Sequence, residues 1–197
     1  PWFFYIHIFD LHAPIIVPKN FSAEKFGKSK YEKMVSAIDY WIGKIIKNID
    51  LENTLIILTA DHGDYVPVIE LDNKMIDLEA SEGQAKIDYI MWKLGNKVPA
   101  KLKPLKGKMK HILRDSRIKA NEQKMNGLNL SPYQKRVMLE TRMVGGHRLY
   151  DDLIKVPLIL SGANIPLNKK IMQQVRNVDI FPTIEDVLSL PKKNDVD

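Results

Sequence analysis

The chain has 197 residues, of which 45% are hydrophobic, so it can bury a core and a wholly disordered protein is excluded. It contains no cysteine, which excludes disulfides and thiolate ligands among these residues and leaves oxygen and imidazole donors for any metal. The net charge is +6, and no apolar run reaches about 18 residues, so we predict no membrane span. No charged and then apolar start resembles a secretion signal, and the compartment stays open, with the cytoplasm slightly favoured.

The first predicted element is an aromatic strand over residues 3–9. It follows Pro1 almost at once, without an initiator methionine, and such a strand needs a neighbour to pair with. We therefore expect a chain that is truncated at its N-terminus, with the missing N-terminal part of the same protein as its partner. Natural processing is the alternative.

A helix and a second strand are predicted next. Apolar residues recur at helical spacing over residues 31–49, with Ser22 or Ser29 as possible N-caps. The apolar and β-branched run over residues 54–59 predicts a strand that is buried on both faces. Strand, helix and strand in this order predict a right-handed crossover. The expected fold class is α/β, with a mostly parallel sheet flanked by helices.

Polar residues follow the second strand directly. Asp61 offers an anionic oxygen, His62 offers an imidazole nitrogen, and Gly63 permits a sharp turn. Open α/β sheets bind ligands beyond the carboxyl ends of their strands. We therefore predict a metal site at Asp61 and His62, and the other interpretation is an ordinary turn from strand to loop.

The middle of the chain is strongly basic. Between Lys86 and Arg136 there are fourteen lysines or arginines and three acidic residues, a local charge of +11. Helical spacing interrupted by prolines predicts a basic helical insertion at about residues 80–140, within one domain of residues 1–197. The insertion could bury the apolar side chains of Trp92, Ile112, Leu113 and Met125.

The charge of this insertion suits an anionic substrate, nucleic acid or membrane lipid. We disfavour nucleic acid, because the segment lacks the interleaved aromatic residues that stack on bases. A solvated surface without a partner is the remaining interpretation. After the insertion, a third strand is predicted over residues 156–161 and a last helix after Pro182.

Four segments share a pattern when they are taken in order. Residues 3–14 end in His12-Ala13-Pro14, residues 50–64 contain Asp61-His62-Gly63, residues 146–160 begin with Gly146-His147-Arg148, and residues 178–184 include Val178-Asp179-Ile180-Phe181-Pro182-Thr183. Together they resemble the sulfatase family of the alkaline phosphatase superfamily.

This resemblance implies an alkaline-phosphatase-like fold and a metal-dependent hydrolase. The substrate would be a sulfate ester of an anionic small molecule or saccharide. Asp61 and His62 would bind a divalent metal, calcium above all, with manganese or zinc possible because one ligand is an imidazole. His12 and His147 would be catalytic groups that contact the sulfate or the leaving oxygen.

The chain also departs from the family pattern. The family nucleophile lies in a Cys/Ser-x-Pro-x-Arg motif that is absent here, so we expect the isolated chain to be inactive. Gly146 stands where many relatives carry a lysine, which weakens the case for aryl sulfates. One alternative is a phosphate or phosphonate ester hydrolase or a phosphoglycerol transferase of the same superfamily. The other is a non-catalytic protein that binds anions through its basic insertion.

Overall fold

The computed structural model describes residues 2–12, 15–64, 66, 68–78, 93, 99, 101, 103–139 and 150–191. Two compact units are present: a first unit of Pro1–Lys44 and Asp64–Ile154, and a second unit of Ile45–Gly63 and Lys155–Asp197. Helices and strands occur together, which is compatible with an α/β fold. The helices are α1 (Lys30–Ile46), α2 (Lys103–Lys124), α3 (Pro132–Leu139), α4 (Asp151–Ile154) and α5 (Ile180–Val187). The strands are β1 (Ile56–Thr59), β2 (Val68–Leu71), β3 (Lys74–Asp77) and β4 (Leu158–Ser161).

Helix α1 begins at one of the two caps that its sequence predicts. The backbone N–H of Glu32 donates to Ser29 Oγ at 3.2 Å, and the Glu32 carboxylate accepts from the backbone N–H groups of Ser29 (2.9 Å) and Lys28 (2.6 Å). This reciprocal cap satisfies N–H groups that the first turn of a helix leaves without an acceptor. The buried face of α1 contributes to a small core in the first unit, which consists of Ile15, Phe21, Met34 and Ala37.

The α1 cap predicts a pH-dependent contribution to stability. The bonds from the backbone N–H groups of Ser29 and Lys28 lower the pKa of Glu32. Because the folded pKa lies below the unfolded value of about 4.3, the carboxylate stabilises the fold above that pH, and its contribution is lost as the pH falls through the folded pKa. We expect Glu32→Gln to lower the free energy of unfolding at neutral pH. In acid the variant and the unsubstituted chain should have the same free energy of unfolding. Urea unfolding of both proteins over a pH series measures this difference, and a difference that grows on acidification would contradict it.

The N-terminal segment does not have its predicted structure. Residues 2–9 form no strand, and Phe3 is 85% exposed, so the prediction of a strand over residues 3–9 was wrong for the described chain. A strand needs a neighbour that pairs with its backbone groups. None of the described residues provides such a partner, and a parallel sheet is therefore not seen in this part of the protein.

Strands β1 and β4 pair in the second unit. They are antiparallel, with Ile56 opposite Ser161 and Thr59 opposite Leu158. The strands predicted from the apolar runs over residues 54–59 and 156–161 are thus confirmed. The expected burial of β1 on both faces was wrong, since Leu58 is 37% exposed. The reason is that β4 is the sole neighbour of β1 within the described ranges, so the two strands form a narrow ribbon.

Strands β2 and β3 form an antiparallel hairpin that the sequence interpretation missed. Its turn residues, Asp72 and Asn73, have positive φ angles of 49° and 58°. Two such residues make the tight turn whose twist matches the paired strands, and aspartate and asparagine tolerate this conformation. The hairpin contributes to a second core in the first unit, centred on Met125, Leu130 and Met138.

Helices α2 and α3 lie in the basic segment, as its spacing predicted. Met125 is buried there, but Ile112 and Leu113 are 64% and 43% exposed, so the expectation that they are buried was wrong. Helix α2 packs by another side, on which Asn121 Nδ2 donates to the backbone oxygen of Met138 at 3.5 Å. Trp92 lies outside the described residues. No helix in the described part of the chain is both long and apolar enough to cross a bilayer.

Helix α5 starts earlier than predicted. It begins at Ile180 and not after Pro182, because a proline in the first turn of a helix removes no hydrogen bond that the helix needs. Thr183 Oγ donates to the backbone oxygen of Asp179 at 2.6 Å and holds this first turn together.

An ion pair joins α3 to α4. Arg136 Nη2 lies 2.7 Å from Asp152 Oδ2, and the two side chains are 22% and 17% exposed. The guanidinium also lies over the ring of Tyr150, 4.1 Å from its centre. The Tyr133 hydroxyl donates to Asp152 Oδ1 at 3.2 Å. The pKa of Tyr133 is raised mainly by burial and to a smaller extent by this hydrogen bond. Arg136, Asp152, Tyr133 and Tyr150 therefore form one connected cluster of contacts.

We expect Arg136→Ala to lower the free energy of unfolding by about 2 kcal/mol, because it leaves a largely buried carboxylate without its cation. Lys28→Ala is the matched control, since it breaks the pair between Lys28 and Glu70, whose side chains are 62% and 45% exposed. A pair this exposed contributes little to stability, because water and salt screen both charges. Urea unfolding of both variants compares the losses, and equal losses would contradict the assignment.

Candidate functional site

The chain turns directly after β1, and Asp61 and His62 lie at this turn. The His62 backbone N–H donates to Asp61 Oδ1 at 2.9 Å, which holds the carboxylate against the turn. Asp61 Oδ2 lies 3.7 Å from His62 Nε2, and the two side chains are 76% and 66% exposed. The structure thus brings the two predicted metal ligands together on an open surface.

The hydrogen-bond partner of the His62 imidazole indicates which ring nitrogen carries the proton. Its Nδ1 lies 2.7 Å from the backbone oxygen of Gly63. A carbonyl oxygen only accepts hydrogen bonds, so Nδ1 carries the proton. In the neutral ring Nε2 then keeps its lone pair, on the side of Asp61. Histidines that bind metals commonly divide their nitrogens in this way, with one that binds and one that donates.

The two donors fit a divalent cation as part of its ligand set. Two atoms that each bind one ion at about 2.0–2.6 Å lie at most about 4–5 Å apart. The 3.7 Å between Asp61 Oδ2 and His62 Nε2 is within that limit. Among the residues that the structure describes, no group of three or more His, Asp or Glu side chains is placed to hold an ion. Asp61 and His62 would therefore supply two ligands, and other groups would complete the shell.

A residue that sequence reasoning missed anchors this turn. Asn177 Nδ2 donates to the backbone oxygen of Ala60, the residue before Asp61, at 3.3 Å. Asn177 begins a short 3-10 turn, Asn177–Asp179. The Asp179 carboxylate accepts from the backbone N–H of Arg176 at 2.8 Å, and this bond lowers the pKa of Asp179. No signal in the sequence predicted this contact, because Ala60 and Asn177 lie 117 positions apart.

The two predicted catalytic histidines have different outcomes. His12 lies in the first unit, where its backbone N–H donates to Phe9 O at 3.0 Å and its ring stacks on Phe9 with 4.5 Å between the ring centres. These contacts hold an exposed imidazole in one orientation. His147 lies outside the described residues. The catalytic role of each histidine stays a prediction.

The first unit also contains a cavity of about 240 Å³, with Asp64, Tyr133 and Asp152 among its polar lining residues. Pockets for small organic ligands usually have about 300–1,000 Å³. The hydroxyl of Tyr133 donates its hydrogen bond to the carboxylate of Asp152 and so does not offer that hydrogen to a ligand. We therefore assign no ligand to this cavity.

Comparison with known proteins gives one family. A family model described as Sulfatase matches residues 1–130, about two-thirds of the chain. The match includes His12, Asp61 and His62 and most of the basic segment, and it ends before His147 and the segment that begins at Val178. Comparison with curated proteins gave no significant match, and comparison with solved structures gave none.

Proposed function

Because the chain belongs to the sulfatase family, we propose that it is part of a metal-dependent hydrolase that cleaves sulfate esters. The observation that carries the proposal is the pair formed by Asp61 Oδ2 and His62 Nε2 at the end of β1, 3.7 Å apart. We also propose that the complete protein has an alkaline-phosphatase-like fold with a mostly parallel sheet.

Asp61 and His62 would hold the metal. Calcium is the proposed ion, and manganese or zinc are alternatives because an imidazole ligand suits them. A bound divalent ion would supply positive charge that polarises the ester oxygens. The bond from His62 Nδ1 to Gly63 keeps the ring in the tautomer whose Nε2 can bind, so this bond is part of the proposed site.

The proposed substrate is a sulfate ester of an anionic small molecule or saccharide. His12 would donate a proton to the leaving alcohol oxygen, since an imidazole changes charge near neutral pH. Its stacking on Phe9, with 4.5 Å between the ring centres, would help to orient the ring for that transfer. His147 would contact the sulfate group.

The nucleophile is proposed to come from another segment of the same protein. The 197 residues contain no cysteine and no Cys/Ser-x-Pro-x-Arg motif, although the family places its nucleophile in that motif. A cysteine in this motif would support sulfate chemistry. A threonine or an unmodified serine would favour phosphate esters instead. Phosphate esters are the alternative because sulfate and phosphate groups are both tetrahedral anions and make similar demands on a site.

A turnover assay tests the proposed function. The complete gene product is incubated with paired aryl sulfate and aryl phosphate substrates, in the presence of calcium, manganese, zinc or a chelator. We expect cleavage of the sulfate that a chelator abolishes. Preferred cleavage of the phosphate would replace the sulfate proposal with a phosphoesterase. Cleavage of neither substrate with any of the metals would overturn the hydrolase proposal and favour anion binding.

A further inference from the structure

Helix α2 exposes an apolar stripe. Residues 105, 109, 112 and 113 are all apolar and follow the spacing of one helix face. Leu105 is 57% exposed, Ile112 is 64% exposed and Leu113 is 43% exposed. The stripe belongs to neither of the two cores of the first unit, because the buried residues of both cores lie elsewhere in the chain.

The stripe faces away from the side by which α2 packs. A helix turns by about 100° per residue, so position 121 lies about 160° around the helix from position 105. Asn121 is the residue that donates to Met138 O, and Ile118, on the same side as Asn121, is half-buried. Position 112 lies about 180° from position 121 and position 113 about 80° from it. Leu105 and Ile112 are therefore roughly opposite the packed side, and the exposed residues of the stripe point outward.

The same helix is strongly cationic. It contains eight lysines or arginines and two acidic residues, a net charge of +6, which equals the net charge of the whole chain. By the same helical geometry, Lys108 and Lys119 border one edge of the stripe, and both residues are exposed. An outward apolar stripe with lysines along its edge makes α2 an amphipathic helix of the basic kind.

This combination separates two kinds of anionic partner. A nucleic acid would engage the basic side chains through its phosphates and would contact bases mostly through polar and aromatic side chains, so an aliphatic stripe along a helix would contribute little to its binding. An anionic lipid surface uses both parts, because headgroups attract the lysines while the acyl boundary accepts the aliphatic side chains. Four to eight basic residues on an amphipathic helix are typical of such surfaces.

We propose that α2 binds the surface of an anionic lipid bilayer. The helix lies in the plane of the interface, with Leu105, Ile112 and Leu113 at the boundary between headgroups and acyl chains and with Lys108 and Lys119 among the headgroups. It is about 33 Å long at 1.5 Å per residue, and it lies on the bilayer without crossing it. This inference does not depend on the proposed hydrolase activity.

Vesicle co-sedimentation tests the proposal. The complete gene product is mixed with vesicles of phosphatidylcholine alone or of phosphatidylcholine with phosphatidylserine, at low and high salt. We expect binding to the vesicles with phosphatidylserine that falls at high salt, because salt screens exposed charges. We expect Ile112→Gln to weaken this binding about ten-fold, since it removes a buried aliphatic side chain from the interface. Lys119→Gln should weaken it about five-fold.

Two variants in the second unit serve as matched controls. Ile171 is 64% exposed, as Ile112 is, and Lys169 is exposed. Ile171→Gln and Lys169→Gln should bind vesicles like the unsubstituted protein, and circular dichroism confirms that all four variants are folded. Equal binding to both kinds of vesicle, no binding to either, or binding that Ile112→Gln leaves unchanged would overturn the proposal. Binding to duplex DNA that is tighter than binding to vesicles would overturn it in favour of a nucleic-acid surface.

Discussion

Replacing Asp61 with alanine is expected to reduce metal-dependent hydrolysis by the complete gene product at least about 100-fold. Removal of a group that only supports a metal ligand lowers metal affinity or activity about 10–100-fold. Loss of a direct ligand should therefore lower activity by at least the upper value. Asp61 Oδ2 and His62 Nε2 face each other at 3.7 Å, so His62→Ala should have a loss of similar size. The measurement is kcat/KM with the better of the two aryl esters, at saturating metal.

Matched controls separate loss of a ligand from a general loss of charge. Asp39 is exposed on α1, and His111 is exposed on α2. Asp39→Ala and His111→Ala should keep the activity of the unsubstituted protein within about two-fold, because exposed side chains without a role in the site rarely alter more than that. If Asp61→Ala and Asp39→Ala have the same activity, Asp61 has no part in the reaction.

Replacing Gly162 with alanine is expected to have the largest effect on stability. Gly162 follows β4 with a φ of +81°, a conformation that favours glycine. A Cβ atom there would collide with the backbone oxygen of Thr54 and would lie 2.9 Å from that of Leu51. The Ala163 N–H donates to the same Leu51 oxygen at 2.9 Å, so the neighbouring backbone cannot move away without loss of this bond. We expect a loss of about 3 kcal/mol, from the left-handed conformation and the overpacking together.

Gly43 provides the control for this substitution. It lies in the interior of α1, and a Cβ added there would meet no atom within 4 Å. Gly43→Ala should therefore leave the protein as stable as before or stabilise it by up to about 1 kcal/mol, since alanine is the better helix former. Urea unfolding compares the two variants. A Gly162→Ala protein as stable as the Gly43→Ala protein would show that the turn after β4 does not depend on glycine.

The effect of Gly162→Ala should extend to the candidate metal site. Thr54 and Leu51 precede β1, and β1 carries Asp61 at its end, so displacement of these backbone groups disturbs the pairing of β1 with β4. Metal binding should weaken in parallel with stability.

The elements that sequence reasoning predicted well depend on local signals. Helix α1 has a periodic apolar face and a Ser29 cap, and both are readable without knowledge of the rest of the fold. β1 and β4 are short apolar runs with polar boundaries. The Asp61 and His62 pair was predicted for a similar reason, because adjacent residues after a strand stay close together in any fold.

The predictions that failed concern partners that lie far away in the chain. Whether residues 3–9 form a strand depends on a neighbouring strand, and whether Ile112 and Leu113 are buried depends on what packs against α2. The predicted strand–helix–strand crossover is not seen in the described structure for the same reason. Its second strand, β1, pairs with β4, and the two strands are antiparallel. The hairpin could have been predicted, because Asp72-Asn73 between two short apolar runs is a turn signal. Asn177 could not, because its bond to Ala60 joins residues 117 positions apart.

Binding of Mn²⁺, followed by electron paramagnetic resonance, tests most directly whether the end of β1 is a metal site, and it needs no turnover. The complete gene product is titrated with Mn²⁺ as the unsubstituted protein and as the variants Asp61→Ala, His62→Ala, Asp39→Ala and His111→Ala. We expect binding that weakens at least about ten-fold in the first two variants and stays unchanged in the last two. Equal binding by all five proteins, or no binding by any of them, would contradict the assignment of Asp61 and His62 as metal ligands.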